Sequence, residues 1–284
     1  MIDHVMIVGY GIMGQGIALS FARGGHQVTV LSRNPGRIGE TPRGIKVVAE
    51  LPDDPPDLII EAVPEVIELK SSLFARLEQA YSGKPILATN TSGLSMDSMA
   101  GQLRHPDRFI GVHYFQPAEI FPSVEVILVE QTDPEVLEDV TAALKCNGQD
   151  AVLIKRPIAG FLVNRLQHAV LHEAFSMIEQ GIVTAQDIDR VCKTMFGPRM
   201  CVTGLIEQKD ISGLDTTAAT QRNLLPHLNH SGTSTREIQD MVTRGEVGVK
   251  SGKGFYDWSN KDVEAHKSLA MEKMTRILEI VSEE

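Results

Sequence analysis

The sequence has few of the features that mark secreted, membrane or nucleic-acid-binding proteins. Only three of its 284 residues are cysteines, and Cys146, Cys192 and Cys201 form no CxxC pair, which favours free thiols in a reducing compartment. No apolar run approaches the roughly 18 to 20 residues that cross a bilayer. Lysine and arginine form no long run and the formal net charge is −10, which disfavours binding to a phosphate backbone. No charged leader precedes the first apolar run, so we expect a cytoplasmic protein without nucleic-acid or membrane partners.

The bulk composition is that of a globular protein. Apolar residues make up 42% of the chain and charged residues 23%, close to the average for folded domains. A length of 284 residues allows one large domain but favours two domains with separate cores.

A glycine-rich turn near the start of the chain predicts a dinucleotide site. The apolar run from Val5 to Val8 leads directly into the string Gly9-Tyr10-Gly11-Ile12-Met13-Gly14, a helical pattern follows, and a second strand covers 27–31. In this context the glycines allow the backbone to approach a pyrophosphate, which then faces free N–H groups at the start of the helix. We therefore predict that the cofactor is bound by Gly9, Gly11, Ile12, Met13 and Gly14.

The residues that close the second strand indicate which nicotinamide cofactor is used. An acidic side chain there would accept a hydrogen bond from the ribose of NAD, whereas an arginine suits the 2′-phosphate of NADP. The strand ends at Ser32-Arg33-Asn34, Arg37 and Arg43 follow, and the first carboxylate is that of Glu40. We favour NADP, bound by Ser32 and Arg33. The alternative, in which Arg33 stacks on the adenine of NAD, stays open.

The order of apolar patterns predicts two domains of different class. Short strand-like runs alternate with helical patterns as far as Ile154, whereas the pattern after Pro157 is helical throughout. Such alternation is typical of a doubly wound, Rossmann-type α/β fold with a parallel sheet. We predict a dinucleotide-binding domain over 1–156 and an all-helical domain over 157–284 that carries substrate contacts and dimerisation. The acidic tail over 279–284 is expected to be a frayed helix end.

Four polar side chains in short apolar segments form a candidate catalytic group. A hydride-transfer site needs a proton donor, a group that orients it, and neutral hydrogen-bonding groups for the substrate oxygen, and His113, Glu125, Ser92 and Asn164 offer these. Each has a simpler interpretation: a core histidine, a carboxylate on a strand surface, a cap for a helix beginning near Ser95, and a helix-packing amide.

Together the motifs resemble those of the L-3-hydroxyacyl-CoA dehydrogenase family, in order and spacing along the whole chain. The resemblance is carried by Gly9-x-Gly-x-Met13-Gly14-x-Gly16, Ala88-Thr89-Asn90-Thr91-Ser92, Gly111-x-His113-Tyr114-Phe115-x-Pro117, Val124-Glu125-Val126, Gly160-Phe161-x-x-Asn164-Arg165, Gly213-Leu214-Asp215-Thr216-Thr217 and Gly248-x-Lys250-x-Gly252-x-Gly254-Phe255-Tyr256.

The resemblance implies a role for each candidate residue. It implies that His113 is the catalytic acid–base, that Glu125 orients it, and that Ser92 and Asn164 hold the substrate oxygen. It also implies that the nicotinamide half of the cofactor lies near Glu65, Lys70, Ser92 and Gln116, and that the chain forms a homodimer through its helical domain.

Four departures from the family pattern bear on the substrate. The segment from Ser32 to Leu58 is too short for the helical hairpin that carries acyl-CoA contacts in the family. Gly93 and Gln116 replace a serine and an asparagine, and Phe121-Pro122-Ser123 stands where the family has a basic residue. The substrate expected is a 3-hydroxyacyl or 3-ketoacyl thioester, on CoA or another carrier, or a small free 3-hydroxy or 3-keto acid.

Two other functions and a metal site are the alternatives to this prediction. A short β-hydroxyacid dehydrogenase would carry a lysine on the first helix of the second domain, and no lysine occurs from Gly160 to Gln180. A non-catalytic nucleotide-binding protein that kept the fold is the other alternative. His168 and His172 share one helix face, but the His-Glu-x-x-His string is missing, so we predict no metal.

Overall fold

A computed structural model describes residues 1–42 and 44–282 of the chain. Arg43, one of the basic residues after the second strand, and the last two residues of the acidic tail lie outside the described residues. The chain divides into two compact units, Met1–Arg165 and Leu166–Glu284, here called the sheet unit and the helical unit. The division lies within a helix that begins a few residues after Pro157.

The sheet unit is built on one eight-stranded sheet, which confirms the predicted Rossmann-type class. The strands lie in the order β3-β2-β1-β4-β5-β6-β7-β8. The strands are β1 His4–Val8, β2 Gln27–Leu31, β3 Ile45–Val48, β4 Leu58–Glu61, β5 Ile86–Thr89, β6 Phe109–His113, β7 Ser123–Leu128 and β8 Asp150–Ile154.

The sheet is mixed rather than wholly parallel. Strand β7 pairs antiparallel with β6, and β8 runs parallel to β7. A parallel connection needs a crossover of a dozen or more residues, usually containing a helix. Only residues 114–122 join β6 to β7, which is too few, so the chain turns back.

Helices cover both faces of the sheet. Two apolar clusters lie on opposite faces, one packed beneath α1 and α4 and the other beneath α2 and α3. The helices of this unit are α1 Ile12–Arg23, α2 Ile67–Tyr81, α3 Met96–Ala100, α4 Pro134–Cys146 and the start of α5 Val163–Glu179.

The helical unit agrees with the all-helical prediction. Besides the rest of α5 it contains α6 Ala185–Val191, α7 Gly197–Thr203, α8 Glu207–Ser212, α9 Leu214–Leu224, α10 Arg236–Thr243 and α11 Val263–Val281. Its β-structure, within the described ranges, consists of two isolated bridges, one joining Gly248 to Lys253 and the other Lys253 to Asp257. Among the described helices, none combines the length and the apolar character that a membrane crossing requires.

The carboxyl ends of the parallel strands meet along one edge of the sheet. Val8 pairs with Leu31 on one side and with Glu61 on the other, and Glu61 pairs with Thr89. The strand order reverses between β1 and β4, and ligands of open α/β sheets bind outside the carboxyl ends at such a point. The residues that follow β1, β2, β4 and β5 therefore surround the predicted cofactor site.

Candidate active site

The glycine turn after β1 has the close packing and the open face that a dinucleotide requires. Gly9 has a φ of 102°, and a Cβ added there would lie 2.7 Å from the carbonyl oxygen of Ala62. A Cβ on Gly14 would collide with the carbonyl of Gly9. A Cβ on Gly11 would meet nothing within 4 Å, so the backbone at the start of α1 faces open space. This turn fits a bound pyrophosphate, whose oxygens would accept hydrogen bonds from the free N–H groups at the start of α1.

A cavity of about 390 Å³ lies beside this turn, where the adenosine half of a dinucleotide would bind. Ser32 and Asn34 line it, and the hydroxyl of Ser32 accepts a hydrogen bond from the Asn34 N–H at 3.3 Å. Arg33 lies between these two residues and is exposed. Glu40 also lines the cavity. Its carboxylate therefore lies close to Ser32 at the end of β2, although it comes eight residues later in the sequence.

His113 and Glu125 form a buried pair. They face each other across the antiparallel register of β6 and β7, and the Nδ1 of His113 lies 2.7 Å from Oε2 of Glu125. The two residues are 3% and 1% exposed. Because a carboxylate only accepts, Nδ1 carries the proton, and in the neutral ring Nε2 is left as an acceptor. Nε2 has no hydrogen-bond partner in the described part of the chain, which leaves it available to a ligand.

The other oxygen of Glu125 is bound by backbone N–H groups. Oε1 accepts from the N–H of Leu162 at 2.9 Å and from that of Val163 at 2.8 Å, at the start of α5. Burial acts to raise the pKa of Glu125, but the hydrogen bonds from His113 and these N–H groups outweigh it and hold the pKa below its ordinary value. Glu125 is therefore an anion that orients the imidazole.

A strained turn delivers those N–H groups. Gly160 has a φ of 73° and Phe161 a φ of 47°, in the left-handed region that non-glycine residues rarely adopt. The ring of Phe161 is 1% exposed and its centroid lies 5.5 Å from that of His113. Because this turn comes first, helix α5 begins only at Val163.

The segments that carry Ser92 and Asn164 lie next to each other. A Cβ added to Gly93 would be 3.6 Å from the backbone nitrogen of Gly160, four residues before Asn164. Ser92 is exposed and Asn164 half-buried, and neither side chain has a hydrogen-bond partner within the described residues. The alternative role of Ser92 as a helix cap is wrong, because Ser95 itself caps α3 by accepting from the Ser98 N–H. Gln116 is exposed after β6.

Lys70 and Glu65 belong to a polar cluster that the sequence pattern only partly indicated. Lys70 is 1% exposed and its Nζ lies 2.6 Å from Glu61 Oε1 and 3.1 Å from Glu65 Oε2. Burial raises the pKa of Glu61, opposed by the Lys70 ammonium, Thr89 and the Val63 N–H. Glu61 was missed because it ends an otherwise apolar strand and its partner lies nine residues away on α2. The predicted contacts of Glu65 and Lys70 with the nicotinamide stay predictions.

Comparison with known proteins places this geometry in a family context. The family model "3-hydroxyacyl-CoA dehydrogenase, NAD binding domain" matches residues 4–53 and 43–157, and the corresponding C-terminal domain model matches 160–258.

Among curated proteins, a mitochondrial hydroxyacyl-coenzyme A dehydrogenase of Sus scrofa is 30% identical over 91% of this chain and 92% of its own length. A 5-formyl-3-hydroxy-2-methylpyridine 4-carboxylate 5-dehydrogenase of Mesorhizobium japonicum is 29% identical over 98% of this chain and 99% of its own.

Two solved structures differ in how closely they match. A crystal structure of 5-formyl-3-hydroxy-2-methylpyridine 4-carboxylic acid 5-dehydrogenase, described as an NAD+ dependent dismutase, matches with a TM-score of 0.92, at 25% identity and 99% coverage of both chains. A 3-hydroxyacyl-CoA dehydrogenase from Archaeoglobus fulgidus matches with a TM-score of 0.72, at 31% identity, over 97% of this chain and 99% of that one.

Proposed function

Because the chain belongs to the 3-hydroxyacyl-CoA dehydrogenase family, we propose that His113 is the acid–base residue of an oxidoreductase that converts a hydroxy acid to a keto acid, or the reverse. The observation that carries the proposal is the buried 2.7 Å contact between His113 and Glu125, which leaves Nε2 without a hydrogen-bond partner among the described residues. A bound nicotinamide cofactor supplies the acceptor or donor of the hydride at the substrate's 3-position.

The side chains divide the proton chemistry between them. Nε2 of His113 accepts the proton of the substrate hydroxyl during oxidation and returns it during reduction. Glu125 stabilises the imidazolium that results and fixes the ring orientation. Ser92 and Asn164 hydrogen-bond to the substrate oxygen, where negative charge develops during reduction.

Replacing the histidine tests this role. We expect His113→Ala to lower kcat by at least about a hundredfold, the usual contribution of a positioned acid–base group. His105→Ala is the matched control, since His105 is an exposed histidine of the same unit. Full hydride transfer by a correctly folded His113→Ala protein, checked by circular dichroism, would show that the proposed role is wrong.

We further propose that the substrate is a small free acid rather than a CoA thioester. Between Leu31 and Leu58 the structure contains one short turn at Pro35–Arg37 and the strand β3, with no helical hairpin among its described residues. The TM-score is 0.92 with the pyridine-carboxylate dehydrogenase and 0.72 with the A. fulgidus acyl-CoA enzyme. Both observations favour a substrate without the long CoA group.

A pair of matched substrates distinguishes the two classes. Reduction of acetoacetate and of acetoacetyl-CoA should be compared at saturating cofactor, together with a small aromatic aldehyde bearing a carboxylate. We expect a higher kcat/KM for one of the free acids than for the thioester. A clear preference for acetoacetyl-CoA would contradict the substrate class while leaving the role of His113 intact.

For the cofactor, we propose that NADP is preferred, with the phosphate bound by Arg33 and Ser32. Ser32 lines the adenosine-side cavity and no acidic residue closes β2. Glu40 opposes this preference, because its carboxylate lines the same cavity and would repel a 2′-phosphate.

Two substitutions with opposite effects test the preference. Arg33→Ala should weaken NADP binding about tenfold, the equivalent of one charged hydrogen bond, and leave NAD binding almost unchanged. Glu40→Gln should strengthen NADP binding. Tighter binding of NAD than of NADP by the unmodified protein, measured by fluorescence titration, would refute the proposal.

We also propose that the chain is a homodimer joined through the helical unit. The helical unit has many exposed large apolar side chains, among them Leu166, Val202, Ile206, Ile211, Leu214, Leu269 and Ile280. Exposed apolar area of this kind marks association surfaces. A second copy would bury it symmetrically.

Sedimentation velocity can test the dimer. The double substitution Ile206→Glu and Ile211→Glu places two charges on side chains that are 76% and 70% exposed, and we expect it to give monomers. Leu153→Glu, at a 43% exposed position on β8 in the sheet unit, is the control that should leave the dimer intact. A monomeric unmodified protein would contradict the proposal.

We propose that the protein is cytoplasmic, and its free thiols support this location. Cys146, Cys192 and Cys201 are all free, which suits a reducing compartment. Titration with a thiol reagent without added reductant should find three free thiols, and a disulfide-linked species would argue against this location.

A further inference from the structure

Glu61 is the centre of a buried polar cluster at the carboxyl end of β4. The side chain is fully buried, and each of its oxygens is bound by donors. Oε1 accepts from Lys70 Nζ at 2.6 Å and from the Thr89 hydroxyl at 2.5 Å. Oε2 accepts from Lys70 Nζ at 2.8 Å and from the Val63 N–H at 3.1 Å.

The buried ion pair of Glu61 and Lys70 joins β4 to α2, and such a pair carries a large desolvation penalty. Removing an ammonium and a carboxylate from water is costly, and a well-packed apolar pair often gives equal or greater stability. Buried charged groups are instead justified where they define one arrangement of the groups around them. The question is therefore which arrangement this pair defines.

Two hydrogen-bonded routes lead from Glu61 to the backbone at Ser92. On the first, Lys70 contacts Glu65 at 3.1 Å, and Oε1 of Glu65 accepts from the Thr91 hydroxyl at 2.6 Å and the Ser92 N–H at 2.8 Å. On the second, the Thr89 hydroxyl, bound to Glu61, accepts from the Thr91 N–H at 3.1 Å. The first route ends at the N–H of Ser92, the residue proposed to bind the substrate oxygen, and the second ends at the N–H of its neighbour Thr91.

The ammonium of Lys70 is enclosed by this cluster. Lys70 is 1% exposed, whereas the side chain of Glu65 is 42% exposed. The Thr91 hydroxyl also accepts from the N–H of Leu94 at 3.0 Å, so the turn after β5 is fixed at several points. Lys70 is thus connected to the turn after β5 through its contact with Glu65.

We propose that Glu61 is a positioning residue which, through Lys70 and Thr89, fixes Glu65 and the Thr91-Ser92 backbone, and thereby sets where the Ser92 hydroxyl meets the substrate oxygen. The proposal rests on the oxygen-binding role proposed for Ser92. A purely structural cross-link between β4 and α2 is the competing explanation, and it predicts a loss of stability without a loss of turnover.

The test replaces both charges together, so that no buried charge is left unpaired. Glu61→Gln with Lys70→Met keeps the side-chain volumes and removes the ion pair. We expect this folded double variant to lose about tenfold in kcat, because the geometry at the reacting oxygen changes. Amide exchange at Thr91 and Ser92, followed by mass spectrometry, should quicken by about tenfold or more.

Glu78→Gln is the matched control. Glu78 is a buried carboxylate on the same helix, and it accepts from the backbone N–H groups of Arg104 and His105, away from Ser92. Its substitution should lower stability without changing kcat. The control shows whether loss of any buried carboxylate of α2 is enough to slow turnover.

A Ser92→Ala background separates this inference from the proposed function. If Glu61 acts through Ser92, the double variant should cause no further loss of kcat in that background. A Ser92→Ala protein with full activity would overturn the role of Ser92, whereas the exchange measurement would still report on the cluster. Unchanged exchange at Thr91 and Ser92, or a kcat within twofold of the unmodified protein, would overturn the positioning role.

If the double variant does not fold, Glu65→Gln tests the first route at a half-exposed position by the same two measurements.

Discussion

The two units of the chain bury their apolar residues to very different extents. In the sheet unit the strands β1, β4, β5 and β6 are almost wholly buried, and two apolar clusters lie on opposite faces of the sheet. In the helical unit the buried residues among those described are Ala174, Ser176, Thr235 and Met241. The sheet unit therefore closes its own core, whereas the helical unit leaves many of its apolar side chains exposed.

The same contrast holds for charged groups. The sheet unit buries two pairs of ionisable side chains, Glu61 with Lys70 and His113 with Glu125. The ion pairs described in the helical unit join side chains with substantial exposure, such as Lys267 and Glu264 at 62% and 83%. Exposed pairs add little stability, whereas buried ones fix geometry. The buried pairs lie where the reaction is proposed to occur.

The largest effect on stability is expected when one ring of a packed aromatic pair is removed, and each unit contains such a pair. Phe74 and Phe109 are fully buried and pack edge to face at 5.3 Å in the sheet unit, whereas Phe175 and Phe255 stack at 5.7 Å in the helical unit and are partly exposed. Phe74→Ala should lower the free energy of unfolding by about 3–5 kcal/mol because it leaves a cavity. Phe255→Ala should cost at least about 1 kcal/mol less, since water can fill the space.

Urea unfolding followed by circular dichroism measures both losses at one protein concentration. Equal losses would mean that the helical unit has a core as tight as that of the sheet. A loss for Phe255→Ala that grows on dilution would instead connect this pair to the dimer.

The next effect concerns the charge of Glu125. Its folded-state pKa is depressed, so the stability it contributes is present above its ordinary pKa and is lost as the pH falls through the folded value. Glu125→Gln should lower the free energy of unfolding at pH 7 by about 1.5–3 kcal/mol, the contribution of charged hydrogen bonds. The difference from the unmodified protein should shrink as the pH falls below about 4.5.

The pH series needs a carboxylate outside the site for comparison. Glu130→Gln, at an exposed position shortly after β7, should leave the stability difference near zero at every pH. A Glu125→Gln difference that stays constant down to pH 3 would show that the carboxylate is not the anion on which His113 depends.

Local signals were enough to predict much of the sheet unit. A parallel strand buried on both faces needs a continuous apolar run, and the glycine turn needs residues that tolerate close backbone contact, so both are visible in the sequence. The reversal of β7 was not predicted, although the short connection over 114–122 contains the reason.

Features that depend on contacts between distant segments were harder to predict. The left-handed conformation of Phe161 is imposed by the packing of its ring in the core and by the two N–H groups delivered to Glu125, and no local pattern indicates it. In the sequence Glu61 is only a carboxylate at the end of a strand, because its contacts with Lys70 and Thr89 form only in the folded chain. The enclosure of Lys70 was hidden for the same reason.

The smallest effect compares one helix cap in each unit. Asp133 caps α4 by accepting from the Glu135 N–H at 2.8 Å, and Asp262 caps α11 by accepting from the Ala265 N–H at 2.9 Å. Asp133→Ala should lower the free energy of unfolding by about 1 kcal/mol, because α4 packs on the sheet core. Helix α11 buries none of its residues, so Asp262→Ala should fray its first turn and leave the main unfolding transition almost unchanged. Amide exchange in the first turn of α11 would detect that fraying. An equal shift of the main transition by both substitutions would show that α11 unfolds together with the sheet. The two units would then differ in how much they bury but would unfold as one cooperative unit.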